Sequence, residues 1–401
     1  MGADEIEQAQ LEQGWNYGYG YVCAGCVDDE TLARKITADA CADEKCDYCT
    51  CTPAAPIDTL LQAFFDGLHT EYSLASDELA YFGGELVPLN RWEGDDLVNQ
   101  YVDVLHGEEL QETIREAARH DDMWVKRHFI EPRQDEALRD GWMRFSQEVM
   151  YRTRHVFWLA PPHKDESYLG GGEIPAAAIL DTLGDLLPQV GLVHQIPAGH
   201  RLWRARAHAD LQQHWSATLL GTASPAQARH PNRMSPAGIP LFYGADSPGT
   251  AIQEVVRHAP GAKFVTYAAF ETTRPCTVVD FTRLGPVPTI FDTDRAHLRR
   301  ALMFLHEFVT RLSADPEDRE HLEYVPTQIV TEYLLRVFDR ERPLDGLVFV
   351  SAAGHDGLCT VLDTPQTHCL EPGVPEPDEH AALRLVPGTL HANQPLPPRS
   401  R

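Results

Sequence analysis

Several side chains that could bind and cleave a charged substrate lie on or next to predicted helices and strands. Glu254 falls two turns into a helix that Asp246 or Ser247 can cap, so its carboxylate is carried by a rigid element. Arg204 and Arg206 belong to a short predicted strand, and Ser351 follows an apolar run. A guanidinium binds phosphate oxygens as a fork, and a carboxylate stabilises positive charge that develops in a transition state. These residues predict a site for a phosphorylated, positively polarised substrate.

Cysteine pairs near the start of the chain predict a metal centre. The motifs Cys23-Ala-Gly-Cys26 and Cys46-Asp-Tyr-Cys49 are two C-x-x-C knuckles, separated by about 20 residues. Each knuckle directs two thiolates at one ion, so the two together complete a tetrahedral site of the kind that holds structural zinc. Four thiolates leave no open coordination position, and the predicted zinc is therefore structural and not catalytic.

Two alternatives to zinc stay open from the sequence. Cys41 and Cys51 are spare thiols in the same segment, which allows an iron–sulfur cluster, although their spacing matches no ferredoxin pattern. The other alternative is a set of buried free thiols without any metal.

The composition describes an acidic protein of two or three domains. The chain has 401 residues, 43% of them hydrophobic, and a formal net charge of −26. An acidic surface repels nucleic-acid phosphates, which argues against DNA or RNA binding as the whole function. The first thirty residues have neither a basic n-region nor an apolar h-region, and no run reaches the about 18 apolar residues of a membrane span. We expect a cytoplasmic protein with no membrane partner.

Changes in composition and periodicity predict a multidomain chain. A small four-cysteine zinc module and an all-α helical domain precede an α+β domain, in which strands and peripheral helices are segregated. The tail is rich in proline and has little to bury, so we expect it to be extended or disordered. The predicted segments are a flexible N-terminus (1–20), the zinc-binding module (21–54), the helical domain (55–165), a linker and bridging helix (166–194), the α+β domain (195–370) and the tail (371–401).

Hydrophobic periodicity locates the elements within these segments. Apolar residues from Ile57 to Leu68 recur at the three- and four-residue spacing of a helix. Further helices are predicted at about 96–120, 135–159, 175–187, 248–258, 296–312 and 326–338. Strands are predicted at 202–206, 241–245, 264–270, 277–281, 347–350 and 359–362.

Residues 195–370 resemble the RES domain family, which is named for its arginine, glutamate and serine. The chain departs from the family in two places, because Trp203 replaces the usual tyrosine and the usual Gly-Arg-Trp-Asn-Pro-Pro-Gly loop reads Asn232-Arg-Met-Ser-Pro-Ala-Gly238. The matching positions are Trp203-Arg204, Arg233 through Gly238, Tyr243, Glu254 and Ser351.

The resemblance implies an ADP-ribosyltransferase-like fold and cleavage of the nicotinamide–ribose N-glycosidic bond of NAD⁺. RES proteins are known as toxins that degrade NAD⁺, usually paired with an antitoxin, so a toxin or defence role and a regulatory partner are also implied. The implied roles are phosphate binding by Arg204 and Arg233, contact with the nicotinamide ribose by Tyr243, stabilisation of the ribosyl cation by Glu254, hydrogen bonding of the nicotinamide or ribose by Ser351, and nucleotide binding by Trp203 and Gln328.

A zinc module followed by helices is similar to the HEPN/RES region that precedes some RES domains. Many HEPN domains are RNases that use an arginine and a histidine separated by four to six residues on one helix. Arg115 and His120 have this spacing, but short matches are frequent by chance, and a solvated charged surface is the competing interpretation.

Several functions are compatible with these features. The first is an NAD⁺ glycohydrolase or phosphorylase, and the second is an ADP-ribosyltransferase that modifies a protein or nucleic acid with the same donor site. The third is a zinc and helical RNA-binding or RNase module whose RES domain senses NAD⁺ without turnover. The acceptor, the activating trigger, an antitoxin and a homo-oligomeric state are all left open by the sequence.

Overall fold

The computed structural model describes residues 13–75, 81–82, 85–86, 91–119, 123–127, 131–159, 172–257, 259, 261–313, 320–339, 343–352, 357–376 and 382–396. The chain forms two compact units. The first comprises residues up to 134 together with 170–172 and 286–300. The second comprises 135–169, 173–285 and 301–401.

The first unit combines helices with small sheets. Its helices are α1 (Glu30–Asp39), α2 (Ile57–Glu71), α3 (Gly94–Asn99) and α4 (Glu108–Ala117). Its strands are β1 (Tyr21–Val22), β2 (Ala55–Pro56), β3 (Tyr72–Leu74), β4 (Tyr81–Phe82), β5 (Glu85–Leu86), β6 (Arg91–Glu93) and β7 (Met123–Lys126). Strands β3, β7 and β6 form a three-stranded antiparallel sheet, so the helical region also contains a sheet that periodicity did not indicate.

Two of the predicted helices differ from the structure. The helix predicted at about 96–120 is wrong as a single element, because a 3-10 turn at Val102–Val104 and then Gly107 separate α3 from α4. Gly107 has a φ of 87°, a left-handed conformation that favours glycine. The helix predicted at 135–159 is the shorter α5 (Gln134–Tyr151), and Arg154 satisfies carbonyls of its last turn, among them that of Val149 at 3.1 Å.

The start of the described chain is better packed than its polar composition indicated. Trp15 is 1% exposed, and its ring stacks on Phe65 of α2 with a centroid distance of 5.6 Å. The expectation of a flexible segment is therefore wrong from residue 13 onward, because burial of the indole offsets part of the ordering entropy. Residues 1–12 lie outside the described part of the chain.

A segment from far along the chain completes the core of the first unit. Phe291 is 2% exposed, and its ring centroid lies 5.0 Å from that of Phe64 in α2. Gly67 permits this approach, since a Cβ at that position would lie 2.6 Å from Cδ1 of Phe291. Residues 286–300 thus belong to the first unit, although the sequence places them inside the α+β segment.

Glu71, at the C-terminal end of α2, forms ion pairs with arginines of this segment. Its side chain is 11% exposed and pairs with Arg300, with Arg299 at 3.5 Å and with Arg133 at 3.7 Å. Removing one member of a buried ionic group leaves its partners desolvated and uncompensated.

We expect Glu71→Gln to destabilise the first unit by about 3 kcal/mol, because three guanidinium groups lose their shared carboxylate. Urea unfolding followed by tryptophan fluorescence measures the change. Glu116→Gln, on the exposed face of α4, is the matched control and should change stability little. Equal stability of the two variants would contradict a stabilising role for this group.

The second unit is built on a ten-stranded sheet. Its strands are β8 (Val193–Ile196), β9 (Arg201–His208), β10 (Phe242–Ala245), β11 (Phe264–Thr272), β12 (Cys276–Asp280), β13 (Gly346–Val350), β14 (Leu358–Leu362), β15 (Cys369–Leu370), β16 (Leu383–Leu385) and β17 (His391–Pro395). The order is β15-β16-β11-β9-β10-β14-β13-β12-β8, and β17 also pairs with β11. The β12–β13 and β15–β16 pairs are parallel and the others are antiparallel.

Helices accompany this sheet. They are α5, α6 (Ile179–Gln189), α7 (Ala217–Leu220), α8 (Pro248–Arg257), α9 (Ala296–Ser313), α10 (Glu320–Glu323) and α11 (Val325–Arg336). The residues of α9 up to 300 belong to the first unit. Every strand and helix predicted between 202 and 362 has a counterpart here, so the expected helical region followed by a mixed α/β domain is confirmed.

The tail is not an extended segment with little to bury. Leu383 is fully buried in β16, and both β16 and β17 pair with β11. The expectation failed because strand pairing supplies backbone hydrogen bonds that composition alone does not reveal.

Candidate functional site

A cavity of about 440 Å³ lies in the second unit, where β9, β10 and α8 meet β13 and β14. Cross-strand pairing places Ala245 of β10 between Trp203 of β9 and Cys359 of β14. Helix α8 begins directly after β10 and packs against β9. Of the two caps that the sequence allowed, Asp246 and Ser247, the structure uses Ser247, whose hydroxyl accepts a hydrogen bond from the backbone N–H of Thr250 at 3.1 Å. Side chains from four strands and one helix thus converge on the cavity.

Glu254 lines this cavity and is held by two neighbours. The Ser351 hydroxyl donates a short hydrogen bond to Oε1 of Glu254, and the Cys359 Sγ lies 3.7 Å from the same oxygen. Ser351 itself is 6% exposed. The structure therefore brings Glu254 and Ser351 together, with the serine placed to orient the carboxylate.

Arg204 is a desolvated cation on the cavity wall. Its Nη1 donates to the Tyr243 carbonyl at 2.7 Å, while its Nε has no hydrogen-bond partner among the described residues. Burial, together with the charge of Arg206, lowers the pKa of Arg204 from its usual value. Because a guanidinium stays charged at neutral pH, a buried N–H without a partner favours binding of an anion here.

The two other arginines singled out from the sequence have backbone partners. Arg206 donates from Nε to the Leu220 carbonyl at 3.0 Å and from Nη2 to the Gly221 carbonyl at 2.5 Å. Arg233 donates to the Leu312 carbonyl. Both line the cavity, so they contribute positive charge while also fastening loops.

Tyr243 and Gln328 hold the loop that carries Arg233. The Tyr243 hydroxyl lies 2.9 Å from Oγ of Ser235, and burial raises the pKa of Tyr243 to about 12. Gln328, in α11, is 7% exposed and donates from Nε2 to the Asn232 carbonyl at 2.7 Å. Tyr243 lines the cavity, whereas the contacts of Gln328 are those of a residue that supports the loop.

Trp203 contributes an aromatic surface. It lines the cavity from β9, and its ring centroid lies 6.2 Å from that of Tyr267 on β11. An indole at this position can pack against a planar base or a ribose.

Two arginines and one histidine of the cavity were not identified from the sequence. Arg229 and His230 precede the Arg233 loop and are exposed, and Arg257 follows Glu254 by three residues on α8. The spacing of Arg257 from Glu254, which puts both on one helix face, was the available signal. In a protein of net charge −26, the charged side chains that line this cavity are basic apart from Glu254.

The predicted cysteine cluster assembles in the first unit. The four Sγ atoms of Cys23, Cys26, Cys46 and Cys49 lie within 4.8 Å of one another, with adjacent pairs at 3.3, 3.6 and 3.7 Å. Tetrahedral zinc with bonds of about 2.3 Å separates its sulfurs by about 3.8 Å, so the residues fit one metal ion.

The protonation of these thiols differs with their surroundings. Burial raises the pKa of Cys23 to about 11, whereas the backbone N–H of Cys51 lowers the pKa of Cys49 to about 6. The spare thiols of Cys41 and Cys51 are exposed and lie outside the group of four.

Arg115, the arginine of the RNase-like pair, forms hydrogen bonds with neighbouring side chains at the surface. Nε of Arg115 donates to Asn99 at 2.7 Å, and Nη1 donates to Glu112 at 3.0 Å. His120 lies outside the described residues, so the pair itself stays a prediction.

The second unit is thus a mixed α/β domain with a cavity lined by basic side chains around the Glu254 carboxylate. The helical unit before it contains a four-cysteine cluster. A family model described as the RES domain matches residues 201–385, and one described as HEPN/RES N-terminal domain 1 matches residues 39–163. The chain therefore contains an RES domain and an HEPN/RES N-terminal domain, which confirms the resemblance. The match supports an NAD-related function.

Searches of curated proteins and of solved structures gave no significant match. Across the part of the chain that the structure describes, the helices are too short or too polar to traverse a lipid bilayer.

Proposed function

We propose that the protein cleaves the nicotinamide–ribose bond of NAD⁺. The observation that carries the proposal is the Glu254 carboxylate, held by Ser351 inside a cavity whose other charged lining groups are cationic. The volume of about 440 Å³ lies in the range of small-molecule sites. The RES match supports NAD⁺ as the dinucleotide.

The reaction requires a negatively charged side chain beside the nicotinamide ribose and positively charged side chains beside the pyrophosphate. Loss of nicotinamide leaves an oxocarbenium-like ribosyl cation, as in glycosidases. A carboxylate at Glu254 stabilises that cation more than the ground state, which accelerates the reaction. Arg204, with its unpartnered Nε, is assigned to the pyrophosphate, and Arg233 is assigned as a second phosphate ligand.

Release of free nicotinamide from NAD⁺ by the purified protein tests this proposal. ADP-ribose as the second product indicates hydrolysis, and ADP-ribose-1″-phosphate formed in phosphate buffer indicates phosphorolysis. A labelled macromolecule indicates ADP-ribosyl transfer, which uses the same donor site. NAD⁺ binding without any nicotinamide release would contradict the proposal and favour a sensor.

The role of Arg204 predicts a binding defect that preserves the fold. Arg204→Lys keeps the charge but loses the planar fork, so we expect the KM for NAD⁺ to rise about 10- to 100-fold. Steady-state nicotinamide release measures it. Arg201→Lys, an exposed position on the same strand, should leave KM unchanged, and an unchanged KM in Arg204→Lys would remove Arg204 from the phosphate site.

A toxic role is proposed on the same basis, because loss of NAD⁺ stops the metabolism of the cell that contains the enzyme. Induced expression of the wild-type chain should lower cellular NAD⁺ and growth. Normal growth with depleted NAD⁺ would contradict toxicity, and undiminished NAD⁺ during expression would contradict the activity itself.

We further propose that the four-cysteine cluster holds structural zinc. The donor set is all sulfur and its geometry suits a tetrahedral ion. Bound zinc would fasten the two knuckles together, and the cysteines would all be occupied as ligands, so this centre takes no part in cleaving NAD⁺.

A further inference from the structure

Cys359 is a buried thiol that none of the functions above uses. It lies on β14, opposite Ala245 of β10 on one side and Phe349 of β13 on the other. The side chain lines the cavity and is 7% exposed, and its Sγ lies 3.7 Å from Oε1 of Glu254.

The thiol is a hydrogen-bond donor in this setting. Burial, and then the charge of Glu254, raise the pKa of Cys359 above its usual value, so the thiol keeps its proton at neutral pH. An ionised carboxylate can only accept hydrogen bonds, and a neutral thiol can donate one. The S–H group therefore points its hydrogen at the same oxygen that accepts from Ser351.

Two donors on one carboxylate oxygen restrict the side chain more than one does. The terminal torsion of glutamate is broad, so a single hydrogen bond leaves the second oxygen free to swing. Ser351 directly follows β13 and Cys359 lies on the neighbouring strand β14, so both approach Oε1 from a rigid framework.

We propose that Cys359 is a positioning residue, which acts with Ser351 to hold Oε1 of Glu254 so that Oε2 is presented to the ribose of the substrate. This inference rests on the proposed function of the cavity. We therefore expect Cys359 to influence turnover and to have little effect on the affinity for the substrate.

Three substitutions at this position separate donation from packing. Cys359→Ala should lower kcat for nicotinamide release about fivefold with KM unchanged, because a donor to a charged group is lost. Cys359→Val fills the volume without a donor and should show the same loss, whereas Cys359→Ser restores a donor and should recover most of kcat. Full activity in the alanine and valine variants, or equal losses in all three variants, would overturn the proposal.

A second measurement does not depend on NAD⁺ turnover, or on a Cys359 variant that folds. Iodoacetamide reacts with the thiolate, so its rate at Cys359, followed by peptide mass spectrometry, reports on the neighbouring charge. In Glu254→Gln this charge is absent, and alkylation of Cys359 should accelerate about tenfold, because a larger fraction of the thiol is ionised. Cys276, a buried thiol on β12 whose pKa burial raises to about 11, should react at an unchanged rate.

The two tests distinguish the possible failures. An unchanged alkylation rate at Cys359 in Glu254→Gln overturns the contact between thiol and carboxylate, whatever the turnover. Absence of nicotinamide release from the wild-type protein overturns the proposed function, even when the alkylation rate responds as expected.

Discussion

Replacing Glu254 by glutamine is expected to lower kcat for nicotinamide release by about 10³-fold, because the amide cannot stabilise the ribosyl cation through a negative charge. Glutamine has nearly the same size and can still accept the hydrogen bond from Ser351, so the cavity should keep its shape. Time courses of nicotinamide production at saturating NAD⁺ measure the effect. A thermal unfolding curve of the variant confirms that the loss is chemical.

A neighbouring substitution controls for damage to α8. Gln253→Ala lies one position earlier on the same helix and is not a residue of the cavity wall, so it should keep wild-type kcat. A Glu254→Gln variant that turns over NAD⁺ at the wild-type rate would remove this carboxylate from the reaction and leave the cationic cavity as a binding site only.

Loss of metal is expected to have the largest effect on stability. The purified protein should contain one zinc per chain, and Cys46→Ser should abolish zinc binding, because Cys46 is 1% exposed and serine is a poor replacement for a thiolate ligand. Structural zinc contributes on the order of 10 kcal/mol to the folding of small modules, so residues 21–52 should become sensitive to protease. Elemental analysis and limited proteolysis measure the two effects, and the thermal transition of the second unit should persist.

The spare cysteine provides the matched control. Cys51→Ser alters an exposed thiol outside the group of four and should leave the zinc content unchanged. Protein purified without any metal would overturn the zinc proposal. Iron with acid-labile sulfide, lost in Cys51→Ser, would replace it with the iron–sulfur alternative.

Local patterns were sufficient to predict most elements around the cavity. The short apolar runs that predicted β9 and β10, and the possible caps Asp246 and Ser247 that predicted the start of α8, are local consequences of backbone geometry and side-chain burial. The four-cysteine cluster was also predicted from local spacing, because the two cysteines of each C-x-x-C motif are already close along the chain.

Contacts between distant residues could not be predicted in this way. The burial of Phe291 in the first unit, the entry of β16 and β17 into the sheet, and the support of the Arg233 loop by Gln328 all depend on pairing across long stretches of chain. Periodicity reports which face of an element is apolar but not which surface will cover it.

The sequence by itself determined the identity of the arginine, glutamate and serine of the candidate site and the strands and helix that carry them. Only the tertiary structure decided that Ser351 bonds the Glu254 carboxylate, that Cys359 lies beside it, and that Arg229 and Arg257 share the cavity. The physical reason is that residue type and local spacing govern secondary structure, whereas the partners of a buried charge are chosen by the packing of the whole sheet.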